Sequence, residues 1–187
     1  MKVTPAPLEG ILLVDPDVHG DERGFFTESY QTDRYHQAGI AASFIQDNHS
    51  KSCQHTLRGL HAQLSHPQSK LVRVVQGAVL DVVVDLRPNS PSFGQWFSIE
   101  LSARNFRQIF VPIGFAHGFC VLSPTAEVEY KCSDIYDPSQ EICLRWDDPE
   151  VGIEWPTASP LLSEKDTQGK LLRELHGDLS CFEKAVG

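Results

Sequence analysis

The sequence predicts an all-β chain, an antiparallel sandwich or barrel with a few short peripheral helices. Three observations support this: many short apolar runs, turn residues between those runs, and helical signal in only two places. Ile11-Leu12-Leu13-Val14 reads as a strand that stops at Asp15-Pro16. Residues 28–38 read as a helix that Gly39 closes. Residues 70–86 form two apolar runs broken at Gln76-Gly77, a hairpin or a bulge. Further strands are expected at 96–101, 108–111, 118–122 and 126–132, and Ser163 opens a C-terminal helical segment with Glu164, Lys165 and Asp166 in its first turn.

A chain of 187 residues is long enough for one substantial core and short for two enzyme domains, so a single domain over 1–187 is expected. No apolar run approaches the ~20 residues of a membrane-spanning helix. The start, Met1-Lys2-Val3-Thr4-Pro5, lacks the apolar segment of a secretory signal, and the cytoplasm is the expected compartment. Five cysteines without CxxC spacing read as reduced thiols. A net charge of −9 argues against nucleic acid as a partner, because phosphate contacts need a basic face. A few cations focused in a cleft would still bind a small anion.

Arg58-Gly59-Leu60-His61-Ala62-Gln63, followed by Lys70 at the head of Leu71-Val72-Arg73-Val74-Val75, gathers an imidazole, a guanidinium and an ammonium. Histidine titrates nearest neutrality and the cations suit an anionic ligand, so the group suggests proton transfer on a negatively charged substrate. Downstream, Pro112-Ile113-Gly114-Phe115-Ala116-His117 makes a corner between two strands and delivers His117 onto the second. The corner resembles the PxGxxH motif of the cupin superfamily, which implies a small jelly-roll barrel. Metal-binding cupins pair that histidine with an earlier HxH, where this chain reads His61-Ala62-Gln63. One imidazole from each motif makes a poor first-row metal site, and no catalytic metal is expected.

The resemblance then narrows. Arg23-Gly24-Phe25-Phe26-Thr27-Glu28, Gln46-Asp47-Asn48-His49-Ser50, Leu57-Arg58-Gly59-Leu60-His61, Lys70-Leu71-Val72-Arg73-Val74-Val75, Gly114-Phe115-Ala116-His117-Gly118-Phe119, Tyr130-Lys131 and Leu162-Ser163-Glu164-Lys165-Asp166 occur in that order. Together they resemble the dTDP-4-dehydrorhamnose 3,5-epimerase family over residues 9–167. The resemblance implies a cofactor-independent homodimeric isomerase that inverts C3 and C5 of a dTDP-4-keto-6-deoxyhexose. It implies that His61 is the base, Tyr130 the proton donor, Lys70 the group that steadies the enolate and Asp166 the partner of the base. It further implies that Arg23, Phe26, Glu28, Gln46, Asn48, Arg58, Lys70, His117, Glu141 and Lys165 bind the nucleotide-sugar and that Tyr136 stacks on thymine. The N-terminal ~30 residues would be exchanged between subunits, with Arg23 and Glu28 completing the partner's site. The chemistry suits these residue types, since a C4 ketone acidifies both neighbouring carbons and each inversion needs a base, an acid and an enolate holder.

Each residue also has a plainer reading. A lone His61 would be a core histidine, Tyr130 an ordinary strand aromatic, Lys70 a solvated edge lysine, Asp166 a helix-dipole partner, and Arg23 with Glu28 a surface ion pair. Two departures from the family stand out. Ala62 replaces an aromatic after the base, leaving less bulk beside the site, and His55-Thr56 replaces a Gly-Val turn. Three alternatives stay open: an epimerase acting on C3 or C5 alone, a metal-dependent cupin enzyme, and a noncatalytic sugar-binding cupin.

Overall fold

The computed structural model describes residues 1–183. Its thirteen strands are β1 (Lys2–Pro5), β2 (Leu12–Asp15), β3 (Val18–Asp21), β4 (Gly24–Thr27), β5 (Gln46–Cys53), β6 (Leu57–Gln63), β7 (Lys70–Gln76), β8 (Ala78–Asp85), β9 (Trp96–Ser102), β10 (Gln108–Val111), β11 (Phe115–Val121), β12 (Thr125–Cys132) and β13 (Glu141–Cys143). Three short helices, α1 (Thr32–Gln37), α2 (Glu164–Thr167) and α3 (Leu172–Leu175), and a 3₁₀ segment (His176–Phe182) complete the described chain. A six-stranded sheet in the order β1-β2-β10-β7-β12-β5 faces a five-stranded one in the order β13-β6-β11-β8-β9, and β3 with β4 forms a separate hairpin. All pairings of named strands are antiparallel. The all-β expectation holds, and the architecture is a cupin-like jelly roll.

Residue parity decides which side chains enter the space between the sheets. On β7, Val72 and Val74 join the interior cluster while Leu71 joins an outer one, so Lys70 points inward. On β12, Ala126 and Val128 are interior, which turns Tyr130 and Cys132 the same way. On β8, Val79 and Val83 are interior, and Val82 and Val84 pack under Leu172, Leu175, Leu179 and Phe182 of the C-terminal layer. Each such fully buried side chain contributes about 1.5–3 kcal/mol. The opposite outer face, around Val14, Leu71 and Phe110, is covered by Tyr35 and Ile40.

Three expectations are corrected. Gln76-Gly77 is not a hairpin: β7 pairs with β10 and β12, and β8 pairs with β9 and β11, so the chain changes sheets at Gly77. Gly77 has φ of 75°, and a Cβ there would strike the Thr125 carbonyl and the Ser123 hydroxyl. A bulge does lie beside it, where the register jumps from Glu127↔Gln76 to Val128↔Val74 and skips Val75. The helix expected over 28–38 starts only at Thr32, with the Gln31 side chain as its cap. The Ser29 carbonyl instead accepts from the Tyr35 hydroxyl and from Gln108 Nε2, each at 2.9 Å, which keeps that stretch out of the helix. The strand expected at 118–122 begins earlier, at Phe115, because the whole run Phe115–Val121 is buried and paired with β8.

Candidate active site

One end of the space between the sheets is filled by apolar side chains, and the other opens into a cavity of about 340 Å³. Its walls come from both sheets. β5 supplies Gln46, Asn48 and Ser50, β7 supplies Lys70 and β12 supplies Tyr130; β6 supplies Arg58 and His61, and β11 supplies His117, Gly118 and Phe119. Tyr136, Glu141, Ser163, Lys165 and Asp166 close the rim.

Arg58 and His61 are three residues apart, so a regular strand would point them to opposite faces. A bulge brings them together: His61 pairs with His117 but Arg58 pairs with Phe119, giving β6 one extra residue. Two glycines make the bulge possible. A Cβ on Gly118 would lie 2.6 Å from the Arg58 carbonyl, and one on Gly59, whose φ is 107°, would lie 2.6 Å from the His117 carbonyl. Both obstacles are backbone and cannot swing aside.

His61 Nε2 lies 2.6 Å from Asp166 Oδ1, and because a carboxylate only accepts, the ring N–H donates. Ser163, the cap of α2, donates to Asp166 Oδ2 at 2.7 Å and so fixes the carboxylate from the other side. Burial opposes the charge on Asp166, but the His61 and Ser163 hydrogen bonds hold its carboxyl below the usual carboxylate range. With Nε2 committed, Nδ1 is the ring nitrogen left to exchange protons, and its nearest carboxylate, Glu141 Oε1, is 3.6 Å away.

Across the cavity, burial raises the Tyr130 phenol above its ordinary value, so it keeps its proton near neutrality. Lys70 stands on the adjacent strand, and burial pushes its ammonium down. The carboxylates that pull on Lys70 are engaged elsewhere: Glu141 by Lys165 and Asp81 by His117. At the rim, the Tyr136 hydroxyl donates to Glu141 at 3.0 Å and the Tyr136 backbone N–H to Gln46 at 2.9 Å. Tyr136 is otherwise well exposed. Arg58 donates from Nε to Ser52 Oγ at 2.9 Å and belongs to no ion pair among the described residues, which leaves its other nitrogens to an anion.

The expected residues of 46–166 thus share one cavity. Arg23, Phe26 and Glu28 do not line it: Arg23 pairs with Asp21, Glu28 pairs with Arg34, and Phe26 stands 71 % exposed on the β3–β4 hairpin. Ala62 is also outside. It faces the C-terminal layer with Leu60 and Phe182, so its lost bulk is a matter of outer packing and not of the site, which corrects the expectation. His55 takes φ of 64° in the turn before β6. Gln63 is occupied by the loop, donating to the His66 and Ile135 carbonyls and accepting from Asp137 N–H, so it is not turned toward His61 as a metal ligand.

Among the lining or supporting residues that escaped the sequence reading are Ser50, Ser163, Cys143 and Asp81. Ser50 and Ser163 are ordinary hydroxyls on an exposed-looking pattern. Cys143, on β13, sits 3.9 Å from Asp166 Oδ1. Asp81 had a signal: it is a carboxylate at an inward position between Val79 and Val83. It is fully buried and accepts from His117 Nε2 at 2.9 Å, fixing the ring, while its Oδ1 has no partner among the described residues.

The chain is similar to known proteins over nearly its whole length. The family model described as dTDP-4-dehydrorhamnose 3,5-epimerase matches residues 5–174. A dTDP-4-dehydrorhamnose 3,5-epimerase from Pseudomonas aeruginosa is 51% identical over 97% of this chain and 99% of its own. Another from Shigella flexneri is 50% identical over 91% of this chain and 95% of its own. Among solved structures, dTDP-6-deoxy-D-glucose-3,5-epimerase from Legionella pneumophila, in complex with dTDP-4-keto-L-rhamnose, superposes with a TM-score of 0.92 at 45% identity, covering 95% of this chain and 96% of that one.

Proposed function

The chain belongs to the dTDP-4-dehydrorhamnose 3,5-epimerase family, a family of isomerases, and from that premise we propose that its cavity inverts C3 and C5 of dTDP-4-dehydro-6-deoxy-D-glucose. The observation that carries the reading is the placement of His61 and Tyr130 on facing sheets of one cavity with Lys70 beside the tyrosine. His61 Nδ1 takes the proton from a carbon next to the C4 ketone. The C–H electron pair forms the C=C bond, and the carbonyl pair moves onto O4 as an enolate. Lys70 donates to O4, and a cation that forms no ion pair among the described residues suits that task because its field is spent on the charge that develops. Tyr130 gives its proton to the opposite face of the carbon, and solvent restores both groups.

Asp166 holds the tautomer that leaves Nδ1 free and balances the imidazolium that forms. Arg58 and Lys165 serve the diphosphate, Gln46 and Asn48 the polar groups beside it, His117 the sugar, and Tyr136 stacks on the thymine at the rim. Arg23, Phe26 and Glu28, exposed on and beside the β3–β4 hairpin, reach the equivalent cavity of a second subunit in a homodimer. Large aromatic side chains as exposed as Phe25 and Phe26 fit such an interface.

NMR of the protein with dTDP-4-dehydro-6-deoxy-D-glucose in deuterium oxide tests the reading. Deuterium is expected at both C3 and C5. Exchange at one carbon alone would indicate a single-centre epimerase, and no exchange would reduce the chain to a binding module.

A further inference from the structure

Directly behind the proposed base lies a thiol that proton transfer does not use. Cys143 Sγ, His61 and Asp166 each present a ligand atom, and the three atoms lie within 4.8 Å of one another. An imidazole, a thiol and a carboxylate together form a donor set suited to zinc or another borderline divalent ion. We propose that His61, Cys143 and Asp166 form an inhibitory site for such an ion, which takes the base out of action by binding it. Ion binding itself rests on the geometry alone; only the inhibition rests on the proposed function.

One of the distances already suits the ion and one must open. Tetrahedral bonds of about 2.0–2.3 Å put neighbouring ligand atoms ~3.3–3.8 Å apart. Cys143 Sγ is already 3.9 Å from Asp166 Oδ1, while His61 Nε2 at 2.6 Å must draw back by about 1 Å to admit the metal between them. Metal at Nε2 moves the ring proton to Nδ1, which faces Glu141 Oε1 at 3.6 Å. That carboxylate lies just beyond hydrogen-bond reach and accepts the Nδ1–H after a shift of about 0.5 Å, as carboxylates commonly do behind a metal-bound histidine. The charge balance is simple: the ion gains a sulfur bond, the thiol releases one proton to solvent, and no electron is transferred. Fourth coordination falls to water or to an oxygen of the sugar. Cys143 also lines a second cavity, with Ile142, Gln168 and Lys170.

Cobalt(II) tests the site, because a thiolate bound to it produces a charge-transfer band in the near ultraviolet. The protein should carry the exposed Cys53 and Cys181 as serine to silence their thiols. Titration with cobalt alone is expected to give a band that saturates at one ion per chain and disappears on adding zinc. Cys143→Ser should abolish the band, and Asp166→Asn should weaken cobalt binding at least ~10-fold, as loss of a ligand costs no less than loss of its supporting partner. Zinc should slow deuterium exchange into the sugar, with Cys143→Ser at least ~10-fold less sensitive. A missing band, a band that persists in Cys143→Ser, or equal zinc sensitivity in the two proteins would overturn the proposal. Failure of the exchange reaction itself, with the band intact, would count against the proposed function and leave the metal site standing.

Discussion

Replacing Asp166 by asparagine removes one charge and little else. The side chain amide keeps an oxygen near His61 Nε2 and another hydrogen-bonding atom near Ser163, so the contacts at 2.6 and 2.7 Å retain partners. When His61 takes the substrate proton it becomes an imidazolium hydrogen-bonded to the carboxylate at 2.6 Å. At an effective dielectric of about 20 that pairing contributes up to ~4 kcal/mol. The lower bound, the advantage of a hydrogen bond to a charged group over a neutral one, is about 1 kcal/mol. Asp166→Asn should therefore lower the turnover number about 5- to 900-fold. KM should move little, because Asp166 lies behind the base and away from the nucleotide groups. The assay is the initial rate of deuterium incorporation at saturating substrate, with circular dichroism to establish an intact fold. A loss below threefold, or one confined to KM, would refute the coupling of Asp166 to the base.

The same carboxylate predicts a pH effect. Its folded pKa lies below the unfolded value of about 3.9, so its stabilising contribution is complete above that pH and fades as pH falls through the folded value. Urea melts should show wild type and Asp166→Asn converging in acid, and a gap that widens there would contradict the sign. Lys70→Met should cut turnover ~10²–10³-fold yet raise the melting temperature at neutral pH, since it removes a cation that burial disfavours. For a depressed lysine the penalty shrinks as pH rises from the folded value toward the unfolded ~10.4, so that gain should narrow on titration to alkaline pH. Tyr130→Phe should keep binding the nucleotide-sugar, by calorimetry, and lose at least ~100-fold in inversion. Gly118→Ala should lose both stability and activity, because its methyl meets the Arg58 carbonyl at 2.6 Å and the β6 bulge must give way.

Much of this was legible in the chain because side-chain parity survives translation into structure. Lys70 shares parity with Val72 and Val74, and Tyr130 with Val128, so an apolar neighbour two residues away foretells an inward direction. What parity cannot foretell is its own interruption. The bulge at Gly59 puts Arg58 and His61 into the same cavity, and only the register against β11 reveals it. Strand β5 was hidden for a different reason: its inward positions, Gln46, Asn48 and Ser50, face a polar cavity, so the strand shows no apolar alternation. The sheet change at Gly77 looked like a hairpin because a two-residue turn signal says nothing about which strands the chain will meet next. Ala62 was read as part of the site through its neighbour, although adjacent strand residues face opposite ways.

The strand order carries a consequence for how the protein is made. Inside the six-stranded sheet, β10 lies between β2 and β7, and β12 between β7 and β5, so most neighbours come from distant parts of the chain. Such topologies fold slowly, in milliseconds to seconds, because long loops must close before pairing repays the lost entropy. His61 and Asp166 are 105 residues apart, and the ribosome delivers the carboxylate long after the imidazole. At ~5–20 residues per second the nascent chain spends roughly 5 to 20 s with its base uncommitted. Catalytic competence is thus a late acquisition, and the apolar outer face of β8 waits longer still, until Leu172, Leu175, Leu179 and Phe182 have been made to cover it.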